Sequence, residues 1–108
     1  MTAQAARNSV RLVKDGRVGA VKIEGGERVL PHIRAIADAG VAVMGHLGLT
    51  PQSYTALGGF CVQGRSAAAA HALLEEAKQL EAAGCFAIVL EMVSPHLFTL
   101  TLTSLPLP

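Results

Sequence analysis

A chain of 108 residues holds at most one ordinary domain, and 51% hydrophobic residues are enough to build a globular core. A net charge of +1 leaves no basic excess with which to neutralise a run of phosphates, so nucleic acid is not an expected partner. The two cysteines, Cys61 and Cys85, lack metal-ligand spacing and make no disulfide framework, which points to a reducing compartment.

The first segment, residues 1–19, carries Arg7, Arg11, Lys14 and Arg17 against Asp15 alone. That composition weakly resembles a mitochondrial transit peptide. The favoured reading is structural: Thr2 as N-cap, a helix whose Ala6, Val10 and Val13 share a face, and Gly16 as C-cap. A strand follows from about Val18 to Ile23, nearly continuous in apolar residues as a parallel strand covered on both faces should be, and Gly25-Gly26 closes it.

The second helix opens with Pro31 in its first turn, where a missing N–H costs nothing, and runs through Ile33 and Ile36 to Ala39 before Gly40. Val41–Met44 is expected as the second strand and 45–65 as a long, glycine-rich connection of the kind that more often serves function than not. Ser66 N-caps a third helix to Ala83, with Ala69, Leu73, Ala77 and Leu80 at three- and four-residue steps, and Gly84 ends it. The third strand is Phe86–Leu90, with Glu91 at its end. Residues 94–108 read as a Leu/Thr/Pro tail without charge, either an edge strand or a disordered, sticky segment. No uninterrupted apolar stretch approaches the roughly 20 residues needed to span a bilayer, so a soluble protein is expected.

Three helix–glycine–strand units predict an α/β fold with parallel strands, whose carboxyl ends lie on one side and bring distant tips to one pocket. The ionisable residues at those tips are Lys22 and Glu24, His46, and Glu91. Lys22 and Glu24, one residue apart, point to the same side of an extended strand, which suits an anionic, metal-bound substrate; a plain ion pair at a strand end is the alternative. His46 sits between Gly45 and Gly48, where backbone or ligand can approach closely, and could equally be a hydrogen-bonded structural histidine. Glu91 ends an apolar strand, where partial desolvation favours general-base chemistry, with a solvated strand end as its rival. His32, His71 and His96 have no ligand spacing and are expected at the surface.

The strings VKIEGG at 21–26, VMGHLGLTPQS at 43–53, LGGFCVQGR at 57–65 and VLEMV at 89–93 together resemble ketopantoate hydroxymethyltransferase, the 3-methyl-2-oxobutanoate hydroxymethyltransferase of pantothenate biosynthesis. The resemblance covers roughly residues 3–93, and GHLGLTPQ is its most specific block. It implies a partial (β/α)8 TIM barrel over 1–93, contributing the fourth, fifth and sixth strands, with 94–108 as a divergent tail. It further implies transfer of a hydroxymethyl group from 5,10-methylenetetrahydrofolate to 3-methyl-2-oxobutanoate, giving 2-dehydropantoate. An Mg2+ ion chelated by the keto acid would stabilise the enolate.

Carried over by motif, Lys22 is similar to the family's substrate-binding lysine, Glu24 to its magnesium-site glutamate, Glu91 to the proton acceptor and His46 to an active-site histidine contacting substrate. The implied partners are a small keto acid and a folate, without membrane or nucleic acid. Full-length members form homo-oligomers, cytoplasmic in bacteria and often mitochondrial in eukaryotes. The family's two magnesium-binding aspartates lie on strands that would precede Thr2, so the chain reads as an internal fragment. Alone it is expected to give no hydroxymethyl transfer, because three barrel strands leave two open edges. Two alternatives stand beside this reading: an inactive fragment that joins full-length subunits, and another metal-dependent keto-acid enzyme of the phosphoenolpyruvate mutase type.

Overall fold

Helix starts, helix stops and strand runs alternate along the chain as glycine and capping residues dictate. The computed structural model describes residues 1–48 and 66–91. Within them the order is α1 (Thr2–Lys14), β1 (Val21–Glu24), a short 3-10 helix (Glu27–Val29), α2 (Leu30–Asp38), β2 (Val43–Gly48), α3 (Ala67–Ala83) and β3 (Cys85–Glu91). The strands form one sheet in the order β1-β2-β3, parallel throughout. That is the arrangement expected of successive helix–strand units.

The signals for α3 hold at both ends. The Ala69 N–H donates to Ser66 Oγ at 3.1 Å, and Gly84 takes the left-handed conformation with φ 118° to close the helix. Pro31 lies in the first turn of α2, where its missing N–H removes no helical bond. The start of α1 differs from expectation. Thr2 is inside the helix, Met1 holds the cap position without a side-chain bond, and Asp15 rather than Gly16 is the C-cap. Arg17, at φ 56°, takes the positive-φ position that a glycine cap would have filled.

Strand limits shift as well. β1 begins at Val21, not Val18, because its ladder with β2 starts only where the Val21 N–H donates to Ala42 O at 3.0 Å. β2 starts two residues later than expected and continues through Gly45 to Gly48, so His46 is within the strand instead of beyond its tip. Gly45 does not break the strand. Its bare Cα makes room for α3: a Cβ there would stand 3.0 Å from Leu80 Cδ1 and 3.4 Å from Cys85 Sγ.

One face of the sheet is covered by α2 and α3. Ile33 and Ile36 of α2, Ala77, Leu80 and Ala83 of α3, and Val43, Leu47 and Cys85 of the strands form the core, with Val21, Ile23, Ile88 and Leu90 packed against it. Full burial of an Ile or Leu side chain is worth about 1.5–3 kcal/mol, so Ile33, Ile36 and Leu80 anchor the layer. α1 packs on α2 and adds Ala5, Val10 and Val13 to the periphery of this core. His71 is exposed as expected, but His32 is half-buried with Nδ1 enclosed. His96, the connection after Gly48 and the tail lie outside the described residues. No helix among those described is long and apolar enough to cross a membrane.

Candidate functional site

Parallel register decides which side chains share a face, because partnered residues of neighbouring strands point to the same side. Glu24 is opposite His46 and Lys22 is opposite Met44 on the β1–β2 ladder; His46 is opposite Val89 and Gly48 opposite Glu91 on the β2–β3 ladder. Lys22, Glu24, His46 and Glu91 therefore all stand on the face turned away from α2 and α3. The four candidates, spread over 70 positions from Lys22 to Glu91, share one side of one sheet.

A bulge makes this possible. Val43 pairs with Cys85, but Met44 pairs with Ala87, so Phe86 is an extra residue without a counterpart on β2. Cys85 and Ile88 both lie against Gly45 on the helix side, although three positions apart. With strict alternation from Cys85, Glu91 would join Cys85 under the helices. The inserted residue reverses the parity and sends Ala87, Val89 and Glu91 to the other face. Phe86 itself is 43% exposed. The sequence reading started this strand at Phe86 and missed both Cys85 and the bulge; the hint was that Cys85 and the apolar pair Ile88 and Leu90 differ in parity.

On the shared face, His46 Nε2 stands 3.1 Å from Glu91 Oε2. The imidazole is almost wholly buried while the Glu91 side chain remains 43% exposed, so the carboxylate is held on one side by the ring and open to solvent or a ligand on the other. Glu24 is beside His46 on β1 and half-buried. Lys22 is one pleat further toward the start of β1 and exposed; its four-carbon stem gives the ammonium reach along the face. The structure thus joins His46 with Glu91 in direct contact, sets Glu24 alongside, and leaves Lys22 at the margin.

Among the described residues no group of three His, Cys, Asp or Glu side chains converges as a metal-binding set. Glu24 by itself offers a hard cation too few oxygens, so these residues alone do not fit a magnesium ion. An open hollow of about 360 Å3 on α1, lined by Asn8, Arg11, Leu12, Asp15 and Gly16, shares no residue with the site and carries none of its chemistry. Cys85 is buried beneath α3, and that burial pushes its thiol pKa up, as suits a packing residue and not a nucleophile.

Residues 1–108 match the ketopantoate hydroxymethyltransferase family. The chain is 59% identical over 90 residues to the 3-methyl-2-oxobutanoate hydroxymethyltransferase of Oleidesulfovibrio alaskensis, covering 83% of this chain and 31% of that protein. It is 51% identical over 104 residues to the enzyme of that name from Heliobacterium modesticaldum, 96% of this chain and 38% of the relative. The Emericella nidulans protein of the same name is 48% identical over 105 residues, 97% of this chain and 30% of its own length. The chain spans about a third of the length of these curated relatives. With a match along its whole length and relatives this similar, the chain belongs to the ketopantoate hydroxymethyltransferase family.

Proposed function

We propose that Lys22, Glu24, His46 and Glu91 form part of a site that transfers a hydroxymethyl group from 5,10-methylenetetrahydrofolate to 3-methyl-2-oxobutanoate, on a segment of a (β/α)8 barrel. The contact of His46 with Glu91, on the face shared with Glu24 and Lys22, is the observation that carries this reading. Three parallel strands in sequence order, with helices on the opposite face, support the barrel geometry.

In this reading Glu91 takes the proton from the carbon beside the ketone. The C–H bond breaks, its electron pair moves onto the ketone oxygen, and an enolate forms. Water hydrolyses the folate's methylene bridge: both C–N bonds break, the two nitrogens take the water hydrogens as tetrahydrofolate leaves, and the carbon is released as formaldehyde. The enolate carbon adds to it, the aldehyde's π pair moves onto oxygen, and that alkoxide takes the proton from Glu91 to become the new hydroxyl. His46 holds the Glu91 carboxylate in place through Nε2, leaving the carboxylate's open side for the substrate. Lys22 supplies a point charge for the substrate carboxylate. Mg2+, with Glu24 contributing to its site directly or through water, would stabilise the enolate oxygen when bound; its remaining ligands have to come from outside the described residues.

The test follows exchange of the substrate's C3 hydrogen for deuterium by NMR, in deuterated buffer with Mg2+ and 3-methyl-2-oxobutanoate. Exchange that Glu91→Gln abolishes supports the reading, and equal exchange by both proteins sinks it. A second reading is favoured by the outer edges of β1 and β3, which carry no partner strand among the described residues. In it the chain is an inactive partner of a full-length subunit. Absence of exchange together with co-purification with a full-length family member would support that alternative.

A further inference from the structure

β1 ends at Glu24, and Gly25 and Gly26 then turn the chain into the 3-10 helix and α2. Gly25 has φ 120°, a conformation that residues with a Cβ rarely adopt. Its N–H donates to His46 O at 3.3 Å, the last rung between β1 and β2, as Val21 N–H to Ala42 O is the first. The position of Glu24 beside His46 therefore depends on a turn made of two glycines, with no side chain of its own to pin it.

A side chain from α3 lies against this turn. A Cβ placed on Gly26 would stand 2.7 Å from Glu76 Cδ and 2.8 and 2.9 Å from its two carboxyl oxygens. The Glu76 carboxyl group occupies the space that any other residue at 26 would fill. Glu76 is half-buried between Leu73 and Leu80 on the stripe of α3 that faces the core. Burial pushes its carboxyl pKa up, and the charge of Glu27 adds to the effect. An apolar residue would pack there without that penalty, so the carboxyl group sits there at an electrostatic cost.

We propose that Glu76 is a positioning residue for Glu24: its carboxyl group, seated on the backbone of Gly26, holds the turn that follows β1 and keeps Glu24 at the side of His46. The catalytic meaning rests on the function proposed above; the contact does not, and its test needs neither substrate nor metal.

Native-state hydrogen exchange of the intact chain compares the amides of Gly25 and Val21, which report the two ends of the same ladder. In Glu76→Ala the Gly25 amide is expected to exchange roughly tenfold faster relative to Val21. Glu76→Gln, which keeps the shape of the side chain, should restore the wild-type ratio. Gly26→Ala, which pushes the carboxyl group aside, should reproduce the acceleration and also serves if Glu76→Ala does not fold. The carbon-13 signal of the Glu24 carboxyl group should move in the variants that lose protection at Gly25. Equal acceleration at both amides, unchanged Gly25 exchange in Glu76→Ala and Gly26→Ala, or no rescue by Gln would each overturn the proposal. If Gly25 responds as stated while keto-acid exchange is indifferent to Glu91, the positioning contact stands and the proposed function falls.

Discussion

His46 on β2 reaches across the ladder to Glu91 on β3, Nε2 to Oε2 at 3.1 Å, with the ring buried and the carboxylate partly in solvent. The exposed half of the pair limits its energetic worth. A double-mutant cycle of His46→Ala and Glu91→Ala, read from urea midpoints, should give a coupling of about 0.5–1 kcal/mol. A coupling near zero would mean that the two side chains do not hold each other in solution.

Glu76 makes the stability of the fold depend on pH in a defined direction. Its folded-state pKa is raised above the ordinary value of 4.5, so the folded chain holds that proton more tightly than the unfolded chain. The resulting penalty is complete above the raised pKa and disappears as pH falls through it toward 4.5. Glu76→Gln carries no such penalty. Its Tm should exceed that of the wild type at neutral pH, with the gap closing as the pH is lowered toward 4.5. Glu27 is the charge that adds to the shift, while Glu75 is engaged by Lys78 at 3.4 Å on the exposed side of the same helix.

Gly45 is the point at which α3 comes closest to the sheet. A methyl group there meets Leu80 Cδ1 at 3.0 Å, Cys85 Sγ at 3.4 Å and Ile88 Cγ1 at 3.6 Å. Gly45→Ala should destabilise the chain by about 1–3 kcal/mol in urea unfolding through overpacking. In a Leu80→Ala background the added methyl group should cost less, because the atom it crowds is gone.

The first turn of α3 depends on one side chain. Ser66→Ala removes the acceptor for the Ala69 N–H and should cost about 1 kcal/mol in thermal or urea unfolding, whereas Ser66→Asp should retain most of the stability.

Local chemistry made much of this legible in advance. Ser66, Gly84, Pro31 and Gly40 mark helix ends through capping, φ freedom or a missing donor, and the apolar runs between them became parallel strands. Places near strand ends put Lys22, Glu24, His46 and Glu91 toward one end of the sheet, but that Glu91 shares their face along a strand starting at Cys85 depends on the bulge at Phe86. What stayed hidden depends on contacts between elements. Gly45 looked like a strand stop because its role as a seat for Leu80 exists only once α3 is docked. The partner of Glu76 is Gly26, fifty residues away, and no spacing rule links them. Thr2 and Gly16 carried the composition of caps, yet α1 begins and ends one residue earlier.

Phe86 makes the third strand one residue longer than the ladder beside it uses. A strand one residue shorter at that point, with Cys85 joined directly to Ala87, would keep every rung beyond the splice, and the acid opposite Gly48 would still stand on the open face. Deletion of Phe86 should therefore leave Glu91 beside His46, read as an unchanged coupling in the double-mutant cycle. A deletion within 88–90 is the damaging one, because it would bring Glu91 opposite Leu47 and under the helices.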